Sequence, residues 1–149
     1  MSLSIILGET HSGKTILTNG LAMRPILDVC PVVKHITDVD ICGDGLLDEI
    51  NNLSGINNLV VDDVKLIVDS TMRSRIEESF RNIKEISDKK NINVFLVING
   101  LRNDYDTIGV KVLAISIADN VFMCYTQHAV KSTSSGVDLN KTNCWTTLK

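Results

Sequence analysis

The sequence predicts a three-layer α/β domain with a mostly parallel central sheet. Short apolar runs alternate with segments of helical periodicity, and the run at 93–98 is apolar on both faces, as in a strand covered by helices on either side. A glycine-containing loop joins the first apolar run to a segment with helical spacing. Ligands of such sheets bind at the carboxyl ends of the strands, so residues that follow apolar runs are the first candidates for function.

The apolar pattern predicts the elements in order. The first half should contain a strand at 3–7, a helix at 15–24, a strand at 32–36, a short helix at 43–52 and a turn at 54–58. The second half should contain apolar runs at 59–61 and 66–68, an amphipathic helix at 73–90, a strand at 93–98, apolar runs at 110–117 and 120–125, and a polar, turn-rich segment at 131–143.

Length and composition favour one packed domain. With 149 residues, 44% of them apolar, we predict a single domain over 1–149, in which 125–149 forms a C-terminal hairpin or a flexible tail.

The formal charge of -3 gives no global attraction for nucleic acid, so any DNA binding should be local. The four cysteines form no C-x-x-C pair, so neither a zinc ribbon nor a thioredoxin-type motif is predicted. No apolar run approaches about 18 residues, and we expect a cytoplasmic protein without a membrane partner, or a viral protein inside a host cell.

Residues 8–15 match the phosphate-loop motif G-x-x-x-x-G-K-[ST] at every fixed position. The candidate nucleotide-binding residues are Gly8, Glu9, Thr10, His11, Ser12, Gly13, Lys14 and Thr15. The two glycines permit a tight turn whose N–H groups point at phosphate oxygens, next to the positive end of the following helix. Lys14 should neutralise the β- and γ-phosphates, and the Thr15 hydroxyl should ligate Mg²⁺. His11 has no fixed role in the motif, and we expect it to be exposed.

A carboxylate at the end of a strand should support the magnesium shell. Asp69 directly follows the apolar run at 66–68 and is the preferred candidate. Asp62 and Asp63 follow the run at 59–61 and offer a rival assignment, although Asp63 is followed by more strand-like sequence.

Hydrolysis also needs a group that orients or deprotonates water near the γ-phosphate. Asp38, after the second predicted strand, is the preferred candidate, and Asp40 is the alternative. Either residue could instead be an ordinary surface aspartate in a loop. Asn99 ends the strand at 93–98, where it could contact the γ-phosphate or simply begin a turn.

The order of these motifs resembles that of the RecA-like ATPases, and most closely their RadA/Sms and KaiC branch. The resemblance covers about residues 3–125 and includes Ile-Val-Asp-Ser at 67–70, Phe-Leu-Val-Ile-Asn at 95–99 and Ile-Ala-Asp-Asn-Val at 117–121. It implies that residues 8–15 hold ATP, that Asp69 serves Mg²⁺, that Asp38 replaces the glutamate usual in the family, and that Asn99 approaches the γ-phosphate. It also implies a homo-oligomer or a larger ATPase partner, with nucleotide at subunit interfaces and assembly on DNA.

Three functions remain open from the sequence. The first is a minimal RecA-like ATPase of DNA recombination, repair or replication, with single-stranded DNA as a partner that Arg102 or Lys131 could contact if they are more than surface charges. The second is an ATP-dependent regulator or assembly subunit with slow turnover, which the short side chain of Asp38 would suit. The third, a small-molecule or nucleotide kinase, is less favoured, because phosphate-clamping lids use several arginines and the chain has only five, three of them on or beside the helix at 73–90.

Overall fold

The computed structural model describes residues 2–9, 12–25, 30–37, 44–64, 73–99, 109–133 and 136–149. Within these ranges the elements are β1 (Ser2–Gly8), α1 (Lys14–Ala22), β2 (Val33–Thr37), α2 (Asp44–Asn51), β3 (Asn58–Val64), α3 (Arg73–Lys90), β4 (Asn93–Asn99), α4 (Val110–Ile117), β5 (Asn120–Thr133) and β6 (Gly136–Thr147). None of the helices in the described ranges is long and apolar enough to cross a membrane.

The strands form one sheet in the order β2-β3-β4-β1-β5-β6. The neighbours from β2 to β5 run parallel, and β6 returns antiparallel to β5. Parallel pairing brings the carboxyl ends of these strands to one edge of the sheet. There Gly8, the last residue of β1, is level with Asn99 of β4 on one side and with Cys124 of β5 on the other.

Both faces of the sheet are buried, because alternate residues of the central strands point to opposite sides. On one face, Leu3, Ile5 and Leu7 of β1 pack in a large cluster with residues of α2, α3 and α4. On the other face, Ile6 of β1 packs with Ala22 and the neighbouring apolar side chains of α1. The sheet is therefore the middle of three layers, with α1 alone on one side among the described helices.

The side chain of Asp119 joins three elements near the start of β1. Oδ2 of Asp119 accepts hydrogen bonds from the backbone N–H of Leu3 at 2.8 Å and forms an ion pair with Nζ of Lys84 at 2.9 Å. Burial alone would raise the pKa of Asp119, but the hydrogen bonds from Lys84 and Leu3 outweigh it and hold that pKa below its usual value. Asp119 thus fixes α3 and the start of β5 to β1.

Several elements differ in extent from their prediction. The apolar run at 59–61 is part of a longer strand, β3, which continues through Asp62 to Val64, whereas the run at 66–68 lies outside the described residues. The run at 110–117 forms the helix α4. Much of the segment at 131–143, expected to be turn-rich, extends β5 and β6, which pair from Phe122 with Thr147 to Thr133 with Gly136.

Candidate functional site

The phosphate loop follows β1 and leads directly into α1, and two glycines shape it. A Cβ on Gly8 would stand 2.6 Å from Oγ of Ser12 and 2.8 Å from the carbonyl oxygen of Cys124, so no larger residue fits there. Gly13 is the N-cap of α1 and has φ +90°, a left-handed conformation that glycine adopts without strain. Ser12 closes the loop by donating its hydroxyl to the carbonyl of Glu9 at 2.6 Å.

Lys14 begins α1 and turns its side chain back over the loop. Its side chain is almost fully buried, with 8% exposed. The ammonium group donates hydrogen bonds to the carbonyl of Glu9 and, at 3.1 Å, to Oδ1 of Asn99. The structure therefore joins two residues that the sequence suggested separately, one from the loop and one from the end of β4.

Thr15 lies against the end of β3. Its hydroxyl donates to Oδ2 of Asp62 at 3.0 Å. Asp62 sits where the pairing of β3 with β4 shifts register between Val61 and Val64, an irregularity of the bulge type that redirects side chains at strand ends. The carboxylate of Asp62, from the rival assignment, is thus the one that contacts the threonine of the motif.

Several other predicted residues lie outside the described part of the chain. These are Thr10 and His11 of the loop, Asp38 and Asp40 after β2, Asp69, and Arg102. The last residue of β2, Thr37, pairs with Asp62 of β3. Only the backbone of Lys131 is described.

A buried thiol lies beside Gly8, at the start of the phosphate loop. Cys124 of β5 is 3% exposed and stands beside Gly8. Burial raises the pKa of Cys124, and the positive charge of Lys14 opposes that shift. The thiol is therefore held in its protonated form and packs as a small apolar side chain, the role we expect for a buried cysteine.

An open pocket of about 340 Å³ lies over the start of α1. Its lining residues are Ser12, Gly13, Lys14, Thr15, Ile16 and Asn143. All but the last belong to the phosphate loop or to the first turn of α1. Asn143 comes from β6, and nothing in the sequence indicated it, because its approach to the loop depends on the length and pairing of the hairpin.

The fold and the loop geometry define a class. A complete phosphate-loop motif between the first strand and first helix of a mostly parallel α/β sheet is the arrangement of a RecA-like P-loop nucleoside-triphosphatase fold, which confirms the predicted fold class. No protein-family model matches the sequence, and no curated protein matches it.

Among solved structures, the chain is similar to the P4 protein from bacteriophage phi6, determined in complex with ADP. The two share 18% sequence identity and superpose with a TM-score of 0.50. The match covers 93% of this chain but only 57% of the phage chain. A likeness at this identity concerns the fold alone.

Proposed function

We propose that this chain binds MgATP on residues 8–15 and hydrolyses it. The observation that carries the proposal is the set of contacts that Lys14 and Thr15 of the motif make in the folded chain. The buried Lys14 reaches Asn99 at 3.1 Å, while Thr15 reaches the carboxylate of Asp62 at 3.0 Å. Cation, hydroxyl, amide and carboxylate thus meet at the carboxyl edge of the sheet, beside the N-terminus of a helix.

The phosphates would take over contacts that the loop now makes with itself. The ammonium of Lys14 donates to the carbonyl of Glu9 and to the amide oxygen of Asn99, and a phosphate oxygen would accept a charge-assisted hydrogen bond from it. The N–H groups at the start of α1 add donors that have no partner within a helix. The ADP bound to the phage P4 protein supports a nucleotide as the ligand of this fold.

The oxygen atoms beside the pocket fit a magnesium ion. Mg²⁺ prefers hard oxygen ligands and keeps several waters, and the hydroxyl of Thr15 with the carboxylate of Asp62 forms such a set. When bound there, the ion would supply positive charge that offsets the negative charge of the phosphates. We assign Thr15 as its ligand and Asp62 as the carboxylate of its shell, in the role for which the sequence favoured Asp69.

Two residues are proposed for the hydrolytic step. Asp38 follows the strand residue that pairs with Asp62, so its carboxylate is the candidate for orienting the attacking water. Asn99 already accepts a hydrogen bond from Lys14, and the same side-chain amide would contact the γ-phosphate. Asp40 remains the alternative to Asp38.

The finer role stays a prediction from the resemblance. It comprises the RadA/Sms and KaiC branch, a place in DNA recombination, repair or replication, a homo-oligomer or a larger ATPase partner, and single-stranded DNA as a binding partner. The slow-turnover regulator differs from this motor in one measurable respect, since DNA should not accelerate its hydrolysis.

The test is phosphate release from ATP, with Mg²⁺ or with a chelator, and with or without single-stranded DNA. We expect magnesium-dependent release that Thr15→Ser retains and Thr15→Val abolishes, because valine matches the shape of threonine but lacks the hydroxyl. Acceleration by DNA would support the recombination role, and an unchanged rate would favour the regulator. Equal activity of Thr15→Val and the parent protein would contradict the proposed site.

A further inference from the structure

The β5–β6 hairpin extends past the proposed nucleotide site. Cys124 of β5 is level with Gly8 at the carboxyl end of β1, and β5 continues to Thr133. Nine residues at about 3.3 Å each carry the strand about 30 Å further in its own direction. The first part of this extension, where Thr126 pairs with Asn143, therefore stands beside the phosphate loop.

Asn143 faces the loop rather than the opposite side of the sheet. Strand residues two apart share a face, so Asn143 lies on the same side as Trp145, whose ring meets Phe122 edge-on at 5.7 Å. Phe122 packs in the cluster on the α1 side of the sheet. A Cβ built on Gly13 would be 3.1 Å from Cβ of Asn143 and 3.4 Å from its Nδ2.

The amide of Asn143 is oriented by its partner across the hairpin. Its Oδ1 accepts a hydrogen bond from the hydroxyl of Thr126 at 3.2 Å. The amide nitrogen is the atom of this group nearest to Gly13. Asn143 therefore presents hydrogen-bond donors to the pocket, on the side away from Thr126.

An apolar side chain also lines the pocket. Ile16 lines it together with Asn143 and is 77% exposed. Phosphates are held by charge and by backbone N–H groups, which an isoleucine side chain cannot supply. The flat faces of a sugar and a base, in contrast, bury apolar surface against such a side chain.

We propose that Asn143 and Ile16 form the nucleoside subsite, in which the amide of Asn143 donates to an oxygen or nitrogen acceptor of the ribose or base. This inference rests on the proposed nucleotide binding and extends it from the phosphates to the rest of the ligand. The hairpin then acts as the wall that distinguishes a nucleotide from an inorganic polyphosphate.

The test compares two probes, MgADP and magnesium tripolyphosphate, by calorimetric titration. Asn143→Ala should weaken ADP binding about 3- to 10-fold, the effect of one uncharged hydrogen bond, and leave tripolyphosphate binding unchanged. Ile16→Ala should show the same selectivity. Thr142→Ala is the matched control, because Thr142 is exposed on the same strand but points to the opposite face, and it should bind both probes like the parent protein.

Unchanged ADP binding by Asn143→Ala would overturn the subsite, and so would an equal loss for both probes, which would make Asn143 a support of the phosphate loop. Those results leave the proposed function intact. If the parent protein binds neither ADP nor tripolyphosphate, the proposed function itself fails.

Discussion

Lys14 combines burial with a positive charge at the carboxyl edge of the sheet. Lys14 is 8% exposed, and its ammonium group exchanges hydration for hydrogen bonds to Glu9 and Asn99. An anion that enters the loop therefore gains more from Lys14 than from an exposed surface lysine. Thr15 and Asp62 add the second half of the site, where a divalent cation is favoured instead.

Asp62→Asn should separate nucleotide binding from the magnesium-dependent step. The amide keeps the shape and can still accept from the Thr15 hydroxyl, but it removes the charge that attracts Mg²⁺. We expect magnesium-dependent hydrolysis of ATP to fall about 10- to 100-fold, the usual cost of losing a partner in the outer shell of a metal. ADP binding in the presence of a chelator should stay unchanged.

Asp48→Asn is the control, since it removes an exposed aspartate of α2. Full activity of Asp62→Asn, with an inactive Asp69→Asn, would restore the assignment that the sequence favoured.

The residues of the motif could be predicted from the sequence, but the contact between Thr15 and Asp62 could not. The phosphate loop is fixed by spacing within eight residues, whereas the partner of Thr15 depends on which strand lies next to the loop. The apolar run at 66–68 ends directly in Asp69, whereas Asp63 is followed by more strand-like sequence, and the sequence therefore favoured Asp69. The contact from Thr15 to Asp62 depends on the irregular register of β3, which composition does not reveal.

The helix α1 owes its start to Gly13 and carries a second glycine in its interior. Gly13 has φ +90°, and an added methyl group would meet Asn143 at 3.1 Å. Gly20 is exposed, and a Cβ there would meet nothing within 4 Å. The same substitution should therefore have opposite effects at the two positions.

Gly13→Ala should lower the free energy of unfolding by about 1–3 kcal/mol, the cost of a strained backbone conformation, and should weaken nucleotide binding. Gly20→Ala should raise it by about 0.5–1 kcal/mol, because alanine favours a helix interior. Urea unfolding of both variants and the parent measures the difference. Stabilisation by Gly13→Ala would contradict the geometry of the loop.

The ion pair of α3 with Asp119 gives the fold a pH dependence. The folded-state pKa of Asp119 lies below its unfolded value, so its contribution to stability is present above pH of about 4 and is lost as the pH falls through the folded-state pKa. The side chain is 39% exposed, so after solvent screening we expect only about 0.5–1 kcal/mol.

Asp119→Asn should therefore be less stable than the parent protein at pH 7 and nearly as stable in acid below that pKa. Asp88→Asn removes a more exposed partner of the same lysine and should have a smaller effect. Urea unfolding at several pH values measures both. A difference between Asp119→Asn and the parent that grows in acid would contradict the ion pair.

At the element scale, the helix with a clear apolar face could be predicted closely, whereas for residues 125–149 the sequence left a hairpin and a flexible tail open. The helix α3 has the bounds 73–90 that its periodicity predicts. The strands β5 and β6 beyond residue 125 contain few apolar residues, because they extend past the layered part of the sheet and need no core face. Their cross-strand pairing holds them together instead.

The whole molecule assembles its site from segments that are far apart in sequence. The order β3-β4-β1 brings Asp62 and Asn99 to the two sides of the phosphate loop residues Thr15 and Lys14. The hairpin of β5 and β6 adds Asn143 to the pocket over the start of α1. The sequence identifies strands that end in polar residues. It specifies neither their spatial order nor the register of the hairpin, and Asn143 was missed because its approach to the loop depends on that register.

The most direct test of nucleotide binding on this loop is the dissociation constant of MgATP, measured by titration calorimetry for the parent protein, Lys14→Ala and the exposed control Lys34→Ala. We predict that Lys14→Ala weakens binding about 10- to 100-fold, as expected for the loss of charge-assisted hydrogen bonds, and that Lys34→Ala binds like the parent. Equal affinity of Lys14→Ala and the parent protein for MgATP would contradict the account.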